Sequence, residues 1–145
     1  MNDTTNGALM IGAGLTAAAA LLHLVIILVG PRAYHWFGAG NRIVRAAEAG
    51  SLYPAAVTAC IVMVLLGWAA YALSGAGAIA PLPFLRPVLT AITAVYLLRA
   101  ILGPFTLLNN GRTARFVWIS SAVCLVYGLV HLTGLVQRWD APGMP

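Results

Sequence analysis

The chain has 145 residues, 61% of them hydrophobic and 8% charged, with a mean hydropathy of +0.92. An ordinary soluble domain carries roughly a quarter charged residues, so the composition excludes one and points to the bilayer. The eight basic residues, all arginine, outnumber three acids to give a net charge of +5; an arginine fringe beside anionic lipid accounts for that charge without nucleic acid.

Stretches free of Asp, Glu, Lys and Arg run from Thr4 to Pro31, Ala49 to Leu85, Pro87 to Leu98 and Phe116 to Gln137. Crossing a hydrocarbon core of roughly 30 Å takes about 20 apolar residues. Four transmembrane helices follow, at about 8–30, 50–73, 85–107 and 115–137, and the third reaches span length only with Arg99 inside the membrane. The predicted fold is all-α, a compact up-and-down bundle of four spans forming one integral membrane domain. The first stretch carries Asp3 and no basic residue in its flank, and its apolar run continues past any small-residue cleavage point, so it reads as a span rather than a signal peptide.

Between the first two spans lies "PRAYHWFGAGNRIVRAAE". Pro31 suits a helix end, Tyr34, Trp36 and Phe37 beside Arg32 suit a headgroup layer, and "NRIVRAAE" suits an interfacial turn of helix. "SGAGAIAPLPFLRP" has Gly and Pro but no helical period, which predicts a loop. Pro104 removes a backbone donor and should kink or end the third span, and "NNGR" at 109–112 reads as a tight turn into the fourth.

Arg32, Arg42, Arg45, Arg112 and Arg115 fall on one side, against Arg86 and Arg138 on the other. That imbalance predicts a bacterial-type inner (plasma) membrane protein with the first and third loops cytoplasmic and both termini outside. Membrane lipids are the expected neighbours, with a second copy or another membrane protein as partner.

An ionised group at the bilayer centre costs about 2.5–3.5 kcal/mol on insertion scales, so such groups face the bundle and find partners. Arg99 lies about 12 Å from the Leu107 end of its span, and His23 about 10 Å from Gly30, on the same side. Glu48, the single acid between Asp3 and Asp140, lies at the membrane surface on that side. It is a candidate counter-ion for Arg99; the alternatives are pairing with Arg45 on its own helix face, or a free or ligand-binding carboxylate. His23, Glu48, Tyr96 and Arg99 then make a candidate ligand pocket, beside the plainer reading of a His bonded to its own helix.

Ser120, Cys124, Tyr127 and His131 step by four, three and four, forming a polar stripe on the last span. It faces either a wet path or ligand, or a neighbouring helix as glue. His23 and His131 differ in depth by about 15 Å, which rules out one haem iron between them in a protomer. His35 has no metal spacing around it, and Cys60 and Cys124 form no C-x-x-C; no metal or cofactor is expected.

"RIVRAAEAGSLYP" is similar to the second-helix stretch of the membrane-associated eicosanoid and glutathione metabolism proteins, and "VYLLRAILG" loosely to their third helix. Arg42, Arg45 and Ala46 match; Ala49 and Leu52 occupy the Asn and Glu positions, Pro54 comes one residue early, and Leu102 stands where a Tyr should be. The resemblance implies a four-span trimer, but the residues that hold glutathione are missing and no site residue carries over. The function expected from the residues themselves is binding or passing a small anionic or lipidic ligand at a cytoplasm-side polar pocket. The alternatives are a membrane enzyme acting on a lipid-soluble substrate, with Arg99 as electrostatic stabiliser, and a structural or accessory subunit.

Overall fold

The computed structural model describes residues 5–108 and 112–140, and the described residues form six helices: α1 (Gly7–Val29), α2 (Pro31–Trp36), α3 (Asn41–Glu48), α4 (Tyr53–Ala76), α5 (Leu85–Leu107) and α6 (Ala114–Arg138). α1, α4, α5 and α6 are long and apolar enough to cross a membrane. They alternate in direction and assemble as two hairpins: α1 packs most extensively on α4 and α5 on α6, and α1 against α6 joins the pairs.

Local chemistry sets the helix ends. Asn6 caps α1, its Oδ1 accepting from the Leu9 amide at 2.8 Å, and Thr113 caps α6 through Phe116. Pro54 enters α4 in its first turn, where no intrahelical donor is needed. Gly77, at φ 80°, closes α4 in the left-handed cap that favours glycine. The loop after it is tied back to α4: Ser74 Oγ donates to the Ala80 carbonyl and accepts from the Leu82 amide, while Tyr71 donates to the Pro83 carbonyl.

Three details refine the sequence expectation. Helix α4 runs through Ser74, Gly75 and Ala76, because all three are buried against neighbouring helices and packing outweighs their weak propensity. α5 fills its expected bounds to Leu107, so of the two outcomes expected at Pro104, a kink or an end, the helix does not end there. "PRAYHW" is a short helix rather than an irregular connection, and it turns Tyr34 inward to 4% exposure while Trp36 stays exposed. Asn109, Asn110 and Gly111 of the expected turn lie outside the described residues.

Glycines serve as sockets. Leu9 is fully buried at the end carrying Asn6 and Arg138, where a Cβ on Gly75 of α4 would meet a methyl of Leu9 at 3.1 Å and one on Gly134 of α6 would meet its Cγ at 2.5 Å. Small residues let backbones approach where lipid supplies no hydrophobic drive. Beside Leu9, the Asn6 amide N–H donates to Ala76 O at 2.9 Å and its Nδ2 donates to Gln137 Oε1 at 2.8 Å. One N-terminal turn thereby ties three helix ends. Leu9→Ala should lower stability by about 3 kcal/mol, within the range for buried leucines, read as the midpoint of unfolding in mild detergent; Leu28→Ala, on the exposed face of α1, should leave that midpoint nearly unchanged.

Candidate functional site

The four residues of the expected pocket occupy four separate environments. Arg99 extends over Gly103, whose missing Cβ leaves room for the guanidinium, and donates to Ser120 Oγ at 3.0 Å and to Ser121 Oγ at 3.4 Å. Ser120 passes its own proton to the Val117 carbonyl at 3.1 Å. The counter-ion assigned to Arg99 is therefore corrected: hydroxyls of α6 solvate it, while Glu48 is exposed at the end of α3 and forms no ion pair among the described residues, with Arg99 or with Arg45.

Tyr96 belongs to the core, 6% exposed, its hydroxyl 3.1 Å from Thr16 Oγ1 of α1. Its ring meets Trp68 and Tyr127 edge-on, with centroids 5.2 and 5.5 Å away, and the His131 ring at 5.3 Å. The α6 stripe thus turns inward: Ser120 onto Arg99, Cys124 and Tyr127 onto the core around Tyr96, and His131 onto α1. His131 is completely buried over Gly12, where a Cβ would come within 2.9 Å of the ring. Its Nδ1 bonds the Tyr127 carbonyl at 2.8 Å. A carbonyl can only accept, so Nδ1 carries the proton, and Nε2 is left as a buried acceptor with no donor among the described residues.

His23 alone of the four lines a cavity at the end bearing α2 and α3, called here the basic end. The cavity measures about 160 Å³ and is walled by Ile26, Tyr34, Thr58, Arg112 and Phe116, among others. Thr58 donates to the Pro54 carbonyl at 2.8 Å, so the Tyr34 hydroxyl, 3.1 Å from Thr58 Oγ1, donates to it. His23 Nδ1 donates to the Ala19 carbonyl at 2.7 Å and leaves Nε2 as an acceptor. Arg112 stacks over the Phe116 ring, 5.3 Å from its centroid. Burial, and after it the charge of Arg99, push the Arg112 guanidinium below its ordinary value. Among the described residues no acid lines the cavity.

Sequence reading found His23 but missed Tyr34, Thr58 and Arg112. The available signal was Pro31 followed by five helix-compatible residues, which would have turned Tyr34 toward the bundle; nothing local marks Arg112, because its place depends on how the α5–α6 connection folds. Among the described residues no cluster of His, Cys, Asp and Glu has the makings of a metal site.

Glu48→Gln should stay within about 0.5 kcal/mol of the parent, as surface replacements do, whereas Gly103→Ala should lose about 1–3 kcal/mol by pushing Arg99 off its serines. Thermal unfolding of the two variants side by side measures this, and equal shifts would restore Glu48 as the partner. In comparison with known proteins, no family model, curated protein or solved structure matches this chain.

Proposed function

We propose that the chain is a small multi-pass membrane protein that binds a small anionic or lipidic ligand in the basic-end cavity, with Arg112 as the charge that attracts it. The observation that carries this reading is a partly open cavity lined by an arginine, a histidine and two hydroxyls, with no carboxylate among the described residues of its walls. An arginine held in such surroundings without a counter-ion favours an anion.

Size narrows the class. At about 30 Å³ per water in the liquid, a cavity of about 160 Å³ holds about five waters. Drug-sized sites begin near 300 Å³. A phosphate, a carboxylate or the headgroup of a lipid whose chains stay in the bilayer fits this volume; a larger soluble metabolite does not. Ile26, Phe37, Val57 and Ile61 add the apolar wall that a lipid-borne ligand would meet.

In this proposal the basic end faces the cytoplasm of a bacterial-type cell, both termini lie outside, and the neighbours are lipids with a second copy or another membrane protein. The imbalance of arginine between the two ends supports that orientation.

Native mass spectrometry of protein purified in mild detergent should show a stoichiometric anionic mass. Arg112→Gln should lose it, and in a phosphate titration should bind about tenfold or more weakly, the worth of one charge-assisted hydrogen bond. Arg115→Gln, three residues on and exposed, should keep it. A bare parent protein of fixed stoichiometry, indifferent to phosphate and to anionic lipid, overturns the reading in favour of an accessory subunit.

A further inference from the structure

The polar residues that wall the basic-end cavity are unequal in what they can offer a ligand. Arg112, stacked over Phe116, has no hydrogen bond or ion pair among the described residues, so its protons are free to be given. The two hydroxyls are already committed. Thr58, 7% exposed, gives its proton to the Pro54 carbonyl, and Tyr34, 4% exposed, gives its own to Thr58 Oγ1, so neither has a proton left for a ligand. His23 is held the same way: its Nδ1 proton goes back to the Ala19 carbonyl of its own helix, which turns the other edge of the ring, with Nε2, away from the α1 backbone and toward the space the residue helps to wall. That Nε2 has no partner among the described residues, and unlike the Nε2 of His131 it is not sealed inside the protein. Among the described residues of the lining, then, one side chain donates and the others can only accept.

An arginine alone accepts any oxyanion. The imidazole beside it adds a condition, because a charged oxygen set against the Nε2 lone pair is repelled, whereas a proton on the ligand satisfies it. Sulfate and simple carboxylates present acceptors at every oxygen and fail that condition. Hydrogen phosphate meets it, keeping one O–H beside its charged oxygens. So does the ethanolamine headgroup of a lipid, which carries ammonium protons a few bonds from its phosphate. The choline headgroup has the same phosphate but methyl groups in place of those protons, and it fails.

We infer, resting on the reading of this cavity as an anion site, that its ligand is a phosphate that brings its own hydrogen-bond donor, with the charged oxygens on Arg112 and the proton on His23 Nε2. Tyr34 and Thr58 sharpen the choice by withholding their protons, so an anion that lacks a donor finds nothing on that wall to compensate. The free ion and the lipid headgroup share this chemistry, and a cavity of about 160 Å³ takes either.

The test uses the full chain in phosphatidylcholine nanodiscs at about pH 8, above the range in which a free imidazole takes a proton. Hydrogen phosphate and sulfate are then both tetrahedral dianions and differ by one proton. In calorimetric titration phosphate should bind about tenfold or more tightly than sulfate, the worth of one acceptor left unpaired, and His23→Phe should bring the two within about twofold of each other. Phosphate binding in these discs assigns the free ion. In discs that mix phosphatidylethanolamine and phosphatidylcholine of matched chains, native mass spectrometry that finds one ethanolamine lipid held per chain, and lost in His23→Phe, assigns the headgroup. Equal affinity for phosphate and sulfate, both lost in Arg112→Gln, overturns the inference and leaves a general anion site. Ethanolamine lipid still held in His23→Phe overturns it too. Binding of neither ion, with both lipids held alike, overturns this inference together with the reading beneath it. Should His23→Phe fail to fold, the parent chain labelled with ¹⁵N-histidine decides the matter by magnetic resonance. Hydrogen phosphate or the ethanolamine lipid should shift a ring-nitrogen signal that sulfate and the choline lipid leave in place, and equal shifts, or none, overturn the inference.

Discussion

A polar atom placed in hydrocarbon is costly unless it finds a partner inside the protein, and most of this structure follows from how that demand is met. Thr58, Thr90, Thr93 and Thr133 each return a proton to the carbonyl four residues earlier, so their hydroxyls ask nothing of a neighbouring helix. Arg99 has five donors that no single backbone group can satisfy, and it takes the α6 serines instead. That arrangement requires α5 and α6 to be close, which is possible because Gly103 and Gly128 present no Cβ to Arg99 and Leu97. Polar satisfaction and small-residue packing are here one constraint seen from two sides.

The same logic separates the two ends of the bundle. At the terminal end, Asn6, Gln137 and the Ala76 carbonyl complete one another, and Arg86 donates to the Trp139 carbonyl at 2.8 Å while stacking on its ring. At the basic end, Arg112 has an aromatic face and a second cation nearby, but no carboxylate beside it in the cavity wall. An anion is what that end lacks.

The four spans were legible because length and hydropathy decide them almost alone, and the structure places each within a few residues of its expected bounds. The positions that escaped depend on tertiary neighbours. Glu48 and Arg99 share a side of the membrane in sequence, yet depth along an axis says nothing about azimuth, and α3 keeps the carboxylate at the surface. The spacing of Ser120, Cys124, Tyr127 and His131 correctly groups them on one face, but only the partners of that face, Arg99, Tyr96 and Gly12, tell glue from path. Tyr34 was read as an interfacial aromatic because a six-residue helix carries too few turns to show a period.

The closure at Leu9 also bears on how the molecule is made. Its socket is shared between Gly75 and Gly134, and the Asn6 side chain beside it bonds Gln137. The first turn of the chain thus waits for the last span. During synthesis the α1–α4 hairpin can insert and pair as it emerges, but the groups that lock it at the Leu9 end belong to α6, the last of the described spans to be delivered. A chain interrupted after α5 would leave Leu9 half covered and Asn6 short of a partner, the kind of unfinished surface that quality-control proteases find. Coupling α1 to α6 in this way makes delivery of the fourth span a condition for closing the first.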